Sequence, residues 1–286
     1  MLTLLTNPTG DGIIHILITN RTDNNMKAMI ADIQRASVHD GPGLRTTVFF
    51  KGCPLNCVWC HNPECISFDP QILEYPDKCI GCGFCDDGCF SGAKVVCGKE
   101  MTTDEVLRQI LLDRNYYKDN GGVTFTGGEP MCYTEFLHEL IDKCKSHGIH
   151  VAMETSMLIY NENLFSKLDL IMADLKIWDD DEHIKYTGVS NKTIKENFIR
   201  VNKLNIPLIV RTPVIPEINA AADNIGNIAN FLRDMENVTN YELLPYHPLG
   251  LTKLNALNIK DYTQYEIPSK KLIEELKIHA DLQRTT

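Results

Sequence analysis

Three cysteines lie close together in the stretch KGCPLNCVWCHNPEC, where they form a Cys53-x₃-Cys57-x₂-Cys60 pattern. Three thiolates from one short loop can hold three corners of a [4Fe–4S] cluster and leave one iron open to an external ligand. A zinc site completed by His61 or Cys65, or a set of buried thiols, is the alternative, although zinc ligands usually occur as paired C-x₂₋₄-C units. The spacing therefore favours a cluster that binds a further molecule.

A second cysteine run, CIGCGFCDDGC, has the ligand spacing of one half of a bacterial ferredoxin. We predict that it holds a single auxiliary [4Fe–4S] cluster through Cys79, Cys82, Cys85 and Cys89. The fourth ligand is the least certain by spacing, and Cys97 or Cys65 could replace Cys89. A structural zinc site is the alternative, and the role of the cluster would be to relay an electron or to dock a partner.

The elements that must position these cysteines alternate between short β-branched runs and helical patterns, which is typical of βα units around a parallel sheet. The candidate strands are RTTVFF (45–50), GVTFT (122–126), IHVAME (149–154), DLIMADL (169–175), LIVRT (208–212) and YELLPY (241–246). Amphipathic helices are predicted at 102–113, 134–148, 192–204, 222–236 and 269–282. Six strands with intervening helices predict an α/β fold, an open (β/α)₆ partial TIM barrel.

The chain divides into three parts on this interpretation. Residues 26–63 and 101–286 form the barrel, and residues 64–100 form a small ferredoxin-like iron–sulfur insert rich in cysteine and glycine. Residues 1–25 form an N-terminal extension with no assignable feature.

The composition excludes several classes of function. A formal net charge of −10 argues against nucleic-acid binding, which requires a basic face that displaces counterions. No apolar run approaches the roughly 20 residues of a membrane helix, and the N-terminus lacks the pattern of a signal peptide. We therefore expect a cytoplasmic protein, in which clustered thiols more often hold metal than form disulfides.

Polar residues follow every predicted strand, as expected for a barrel whose reactive groups collect where the strands end. After the cysteines these are Gly127, Gly128, Glu129, Glu154, Thr155, Asp174, Lys176, Arg211 and His247. The turn at residues 127–129 offers backbone groups and a carboxylate to an ammonium, whereas Lys176 or Arg211 could bind a carboxylate. Together they predict a pocket for an amino-acid head group.

The stretch GPGLRTTVFFKGCPLNCVWC closely resembles the signature of the radical S-adenosylmethionine (SAM) activating enzymes. With DGPG, NPE, TGGEP, DLK and LLPYH in order, the chain resembles the glycyl radical enzyme activating enzymes, the group that contains pyruvate formate-lyase activating enzyme. The resemblance implies that the open iron binds SAM and that the reduced cluster passes one electron to the sulfonium. The resulting 5′-deoxyadenosyl radical would remove a hydrogen atom from a backbone glycine of a partner enzyme.

The resemblance also implies roles for individual residues. Cys53, Cys57 and Cys60 would ligate iron. The adenine of SAM would contact Trp59, Cys60 and His61, and its amine would contact Gly127, Gly128 and Glu129. The carboxylate would contact Arg211 and Lys176 of the Asp174-Leu175-Lys176 motif, and His247 would lie beside the ribose or the methionyl tail. A monovalent cation would bind Glu154, Thr155, Met172 through its carbonyl, and Asp174, although Glu154 stands where aspartate is common.

The implied partner is a glycyl radical enzyme whose loop enters the barrel mouth, with a flavodoxin or ferredoxin as electron donor. We expect a monomer. Two other functions stay open: a radical SAM enzyme acting on a small molecule, and a non-catalytic iron–sulfur or zinc protein. The insert argues against the pyruvate formate-lyase activase itself, which resembles the shorter form without an insert.

Overall fold

The fold is built on a twisted sheet, seen in a computed structural model that describes residues 26–85 and 88–285. The strands in this part of the chain are β1 (Lys27–Ser37), β2 (Arg45–Phe50), β3 (Gln71–Glu74), β4 (Lys94–Cys97), β5 (Lys99–Thr102), β6 (Gly122–Gly127), β7 (His150–Thr155), β8 (Leu170–Asp174), β9 (Leu208–Val214) and β10 (Val238–Pro245). All six predicted strands are present, as β2 and β6 to β10.

Helices connect the parallel strands as predicted. They are α1 (Thr103–Leu111), α2 (Thr134–Ser146), α3 (Glu162–Phe165), α4 (Asp180–Thr187), α5 (Lys192–Asn202), α6 (Ala222–Leu232), α7 (Leu249–Ala256) and α8 (Lys270–Thr285). The first begins with the expected capping box: the Thr102 hydroxyl accepts from the Glu105 backbone N–H at 3.2 Å, and the Glu105 carboxylate accepts from the Thr102 N–H at 2.8 Å.

The main sheet has the order β10-β9-β8-β7-β6-β2-β1-β5. Its strands from β10 to β2 are parallel, and β1 and β5 continue the sheet in antiparallel register. The six parallel strands confirm the predicted partial barrel. Neither β1 nor β5 is predicted from the sequence, because only Ala28 and Ile30 of these two strands are buried and their apolar pattern is correspondingly weak.

The predicted insert contains a two-stranded hairpin of β3 and β4, in which Gln71 pairs with Cys97. Four-residue strands are too short for alternation to be visible in the sequence. The last two residues of the predicted insert, Lys99 and Glu100, belong to β5 and therefore to the main sheet. A ferredoxin-like fold for the rest of the insert stays a prediction.

The proposed N-terminal extension, residues 1–25, lies outside the described residues. In the part of the chain that the structure describes, no helix has the length and apolar character required to cross a membrane.

The hydrophobic core fills the space between the parallel sheet and the helices, and it begins directly behind the cysteine loop. Phe50, the last residue of β2, is fully buried. Its ring lies 6.0 Å from the ring centroids of Phe125 and Phe136 and 5.6 Å from that of Tyr133. The end of β2 is thus anchored on two neighbouring elements at the point where the loop leaves the sheet.

We predict that Phe50→Ala lowers the free energy of unfolding by about 3–5 kcal/mol, because it leaves a cavity among three aromatic rings. Urea unfolding of anaerobically purified protein measures this. The matched control is Ile199→Ala on α5, whose side chain is half exposed, and which should change stability by no more than about 0.5 kcal/mol. Equal shifts for the two variants would contradict the assigned core.

Candidate active site

A cavity of about 300 Å³ lies where the parallel strands end. The predicted site residues that line it are Cys53, Cys57, Trp59, Cys60, His61, Gly127, Gly128, Glu154, Thr155, Met172, Asp174, Lys176, Arg211 and His247. Two predicted residues, Glu129 and Leu175, are not among its lining residues. The fold therefore brings together, from six strand ends, nearly all the groups that the sequence singled out.

The cysteine loop is held by backbone hydrogen bonds to the chain that follows it. The Gly52 N–H donates to the carbonyl of Cys65 at 2.7 Å, and the Cys53 N–H donates to the carbonyl of Ile66 at 3.0 Å. These bonds join the start of the loop, at Gly52 and Cys53, to the segment just after its end, at Cys65 and Ile66. The three thiols therefore stay in one compact turn.

The far side of the loop is attached to α4. The Asn56 N–H donates to the carbonyl of Thr187 at 2.8 Å, and the Val58 N–H donates to that of Tyr186 at 3.1 Å. The Trp59 ring lies 6.4 Å from the Tyr186 ring. The end of α4 therefore orients the indole that faces the cavity.

The double-glycine turn after β6 allows this loop to pass close to the sheet. A Cβ atom on Gly128 would lie 2.3 Å from the carbonyl oxygen of Gly52, which is far inside contact distance. Gly127 has a φ of +110°, and its Cβ would lie 2.5 Å from the backbone of Phe50. Both positions consequently require glycine.

The three thiols suit an iron–sulfur cluster better than a single ion. Burial raises the pKa of each thiol, to about 12 for Cys60, so each needs adjacent positive charge to ionise. Iron supplies that charge, and in a cube each thiolate binds a different iron.

A chain of partly buried charged side chains crosses one wall of the cavity. The Glu154 carboxylate accepts from the Thr126 hydroxyl and from Arg211 Nη1, each at 2.6 Å. Arg211 Nε also donates to Glu242 at 3.0 Å. Burial raises the pKa of Glu154, and the guanidinium of Arg211 partly opposes that effect. Arg211 is thus held in one orientation with part of its guanidinium facing the cavity.

Lys176 forms a second ion pair in the cavity, with Asp174. Burial lowers the pKa of Lys176, but the Asp174 carboxylate and the Cys57 sulfur raise it by more than burial lowers it. The net pKa is therefore raised, and the ammonium stays charged. The side chains proposed to bind the cation have protein partners here. Asp174 accepts from Lys176, Glu154 accepts from Arg211, and Thr155 donates to Glu129 at 2.9 Å. The monovalent cation at these residues stays a prediction.

Glu129 is fully buried behind the cavity wall. Its carboxylate accepts from the Thr155 hydroxyl at 2.9 Å, from the Ser156 N–H at 2.8 Å and from the Met131 N–H at 3.2 Å. Burial raises its pKa, and the hydrogen bonds from Ser156 and Thr155 oppose that shift. In this arrangement Glu129 joins the ends of β6 and β7, and its contact with an ammonium stays a prediction.

The segment after β10 closes the cavity against the cysteine loop. The His61 and His247 rings meet edge to face at 4.4 Å between centroids. A Cβ on Gly250 of α7 would lie 2.5 Å from the Cys60 carbonyl oxygen. The start of α7 therefore rests directly on the loop, which brings His247 into the site.

A second cavity, of about 530 Å³, lies in the predicted insert. The four cysteines of the ferredoxin-type run line it, namely Cys79, Cys82, Cys85 and Cys89. The two alternative ligands lie elsewhere: Cys97 is buried with Leu73 and Ala256 beneath the hairpin, and Cys65 is buried beside the first cysteine loop. The hydroxyl of Ser91 and nearby backbone groups lower the pKa of the half-buried Cys89 thiol to about 7.

Comparison with known proteins places the chain in a family. Residues 39–177 match a family model described as a 4Fe-4S single cluster domain. The chain is 36% identical to the 4-hydroxyphenylacetate decarboxylase activating enzyme of Clostridioides difficile, over 89% of this chain and 92% of that protein. It is also 36% identical to the trans-4-hydroxy-L-proline dehydratase activating enzyme of the same species, over 88% and 95%. The chain belongs to the glycyl radical enzyme activating enzymes.

A further relative, the indoleacetate decarboxylase activating enzyme of Tractidigestivibacter scatoligenes, is 35% identical over 90% of this chain and 94% of that protein. These relatives confirm the resemblance read from the motifs and do not favour the small-molecule or non-catalytic alternatives. An activating enzyme of this family uses a [4Fe–4S] cluster and SAM.

Solved structures agree with this fold at low sequence identity. Streptococcus suis SuiB bound to precursor peptide SuiA is 14% identical, with a TM-score of 0.55 over 82% of this chain and 44% of that one. A radical SAM methyltransferase from Sphaerobacter thermophilus is 14% identical, with a TM-score of 0.52 over 84% and 64%. The activating enzyme therefore shares the radical SAM fold with proteins of different function.

Three residues of the activating enzyme's site were not singled out from the sequence. Thr126 begins the TGGEP motif, and its hydroxyl donates to Glu154. Ser156 follows Thr155 at the end of β7, and its hydroxyl donates to Glu129. Glu242 lies within β10 and pairs with Arg211. A lone acidic residue in a predicted strand is the signal that could have revealed it, since its side chain must find a partner or solvent.

We predict that Arg211→Met lowers the free energy of unfolding by about 3 kcal/mol, because it leaves the carboxylate of Glu154 without its cationic partner. The loss should depend on pH. Without the guanidinium, the pKa of Glu154 in the folded protein rises further above its unfolded value. The folded state then binds the proton more readily, so stability falls as pH increases through that interval.

Urea unfolding of the Arg211→Met protein at about pH 6 and about pH 8 measures this dependence, with the larger deficit expected at the higher pH. Arg233→Met is the matched control, because Arg233 is more exposed and pairs with the exposed Asp234 at 3.5 Å. A pH-independent deficit would show that the carboxylate of Glu154 does not depend on Arg211.

Proposed function

We propose that Cys53, Cys57 and Cys60 bind the catalytic cluster of this glycyl radical enzyme activating enzyme. The observation that carries this proposal is that their loop and the polar strand ends line one cavity. When bound, the reduced cluster supplies the one electron that cleaves SAM to methionine and a 5′-deoxyadenosyl radical, which takes a hydrogen atom from a glycine of the partner and becomes 5′-deoxyadenosine.

The protein's own groups bind and orient SAM in this proposal. Lys176 and Arg211 attract the carboxylate, and their ion pairs hold both cations in position before SAM arrives. The turn of Gly127 and Gly128 presents its backbone to the amine. Because a carbon radical attacks most groups, these contacts must hold SAM close to the target glycine and exclude water.

The remaining assignments follow the same geometry. Trp59 and His61 border the adenine and His247 borders the ribose, since these rings lie at the cavity edge formed by the cysteine loop and α7. A monovalent cation at Glu154, Thr155, Met172 and Asp174 is part of the proposal, supported by their position at the ends of β7 and β8.

The partner is a glycyl radical enzyme, and we propose that it presents its glycine on a loop that enters the cavity mouth. Relatives of nearly equal identity are named for two decarboxylases of arylacetates and for a dehydratase of an amino acid, trans-4-hydroxy-L-proline. This is expected if the activating enzyme recognises the loop of its partner and not the small molecule that the partner converts.

We further propose one auxiliary [4Fe–4S] cluster in the insert, bound by the four cysteines that line the second cavity. The thiols of Cys79, Cys82 and Cys85 are exposed, which suits the entry of an electron from a flavodoxin or ferredoxin. In this proposal the enzyme acts as a monomer with that donor.

The function is tested by anaerobic electron paramagnetic resonance of reduced protein, SAM and a candidate glycyl radical enzyme. A doublet from a glycyl radical should appear together with 5′-deoxyadenosine. We predict that Cys57→Ala abolishes both products, because it removes one of three iron ligands. Cys144→Ala, which changes a buried thiol of α2, is the matched control and should retain both. Activity in the Cys57 variant would overturn the proposal.

The ligand set of the auxiliary cluster gives a separate prediction. Cys89→Ser should remove about four iron and four sulfide per chain from anaerobically purified protein, whereas Cys97→Ser should leave both contents unchanged. Quantitative iron and sulfide analysis measures this. If Cys97→Ser lowers the contents and Cys89→Ser does not, Cys97 is the fourth ligand.

A further inference from the structure

Asn62 lines the cavity at the strand ends and has no role in the site described above. It directly follows His61 and begins the Asn-Pro-Glu stretch after the cysteine loop. Its backbone carbonyl accepts from the Cys65 N–H at 2.9 Å, but its side chain does not cap the short helix at Pro63–Cys65. The amide of Asn62 is therefore available for a contact in the cavity.

A lysine of α7 holds this amide. Lys253 Nζ donates to Asn62 Oδ1 at 2.7 Å and to Glu64 Oε1 at 2.7 Å. The contact spans the opening of the barrel, because Asn62 follows β2 and Lys253 follows β10, which are the two ends of the parallel run. Since Glu64 is largely buried, the ammonium has a fixed position relative to the cysteine loop.

The ammonium fixes which way round the amide lies, because an ammonium has three donors and no acceptor. Only the carbonyl oxygen of Asn62 can face Lys253, so the NH₂ group is turned away from it. Within the described residues this NH₂ group donates to no acceptor, and Oδ1 accepts only from Lys253 although a carbonyl oxygen has two lone pairs. Asn62 thus offers one donor beside one acceptor in a fixed order.

The surroundings of Asn62 suit a neutral ring. Burial is the main reason that the pKa of His61 falls to about 4, and nearby Lys253 contributes, so the imidazole stays neutral. The charge of Lys253 is itself paired with Glu64. The cations proposed for the methionyl carboxylate, Lys176 and Arg211, belong to the ends of other strands. The base of SAM is consequently the part that fits beside Asn62.

Adenine has a donor, its N6 amino group, adjacent to ring nitrogens that accept, and an asparagine amide pairs with such an edge through two hydrogen bonds. We propose that the Asn62 amide recognises the adenine of SAM by donating to a ring nitrogen and accepting from N6, and that Lys253 is the positioning residue that keeps the amide in this order. This inference rests on the proposed function and names the side chain that distinguishes the base.

The test compares the binding of SAM with that of S-inosylmethionine, in which a carbonyl oxygen replaces N6. Titration calorimetry of the anaerobic full chain, with its clusters loaded and oxidised, gives both dissociation constants without cleavage of SAM. The unchanged protein should bind the analogue about tenfold more weakly, because the new oxygen opposes Oδ1. Asn62→Ala should weaken SAM binding about tenfold and analogue binding by no more than about twofold.

Lys253→Gln tests the positioning role. A glutamine both donates and accepts, so the Asn62 amide can turn over and present its N–H to the oxygen of the analogue. The preference for SAM should therefore fall about fivefold, mainly through tighter binding of the analogue. Lys253→Arg, which only donates, should retain the preference. Lys271→Gln changes an exposed lysine of α8; it is the matched control and should alter neither dissociation constant.

The other outcomes are also decisive. Equal weakening of both ligands by Asn62→Ala would reveal a merely structural role and overturn the inference. Equal binding of both ligands by the unchanged protein, or an unaltered preference in folded Lys253→Gln protein, would overturn it too. If Lys253→Gln does not fold, Asn62→Ala still decides, because it leaves the ion pair of Lys253 and Glu64 in place. If the cluster-loaded, unchanged protein binds neither ligand, the proposed function itself fails, which is a distinguishable result.

Discussion

The structure depends on a close backbone contact between the cysteine loop and the turn after β6. The carbonyl of Gly52 accepts from the Glu129 N–H at 2.8 Å, and the Gly128 N–H donates to the carbonyl of Phe50 at the same distance. A side chain on Gly128 would separate the two segments. Because the cluster ligands and the proposed amine site lie on opposite sides of this contact, their relative position is set by main-chain geometry.

The charged side chains around the cavity are also held in fixed positions. Arg211 and Lys176 are largely buried cations, and each has a carboxylate partner that keeps it oriented and charged. Such pairs contribute little net stability, since desolvation offsets their attraction, but they prepare a site for an anionic group.

Much of this arrangement was predictable from the chain. The six parallel strands are continuous apolar runs between turn residues, and the cysteine spacings and glycine pair are local patterns that survive in any context. Less was predictable where the hydrophobic pattern is weak or where a contact joins residues far apart in the sequence. In β1 and β5 only Ala28 and Ile30 are buried, and the hairpin strands are only four residues long. The carboxylate partners of Arg211 lie in other strands.

The sequence by itself determined the kind of chemistry, because ligand type and spacing are properties of a short stretch of chain. It determined the fold class for the same reason, since each βα unit has its own periodicity. Only the tertiary structure decided which groups share a cavity, that Glu129 lies behind its wall, and that Cys89 faces the insert cavity while Cys97 does not. Those outcomes depend on how distant segments pack, and no local pattern encodes a packing distance.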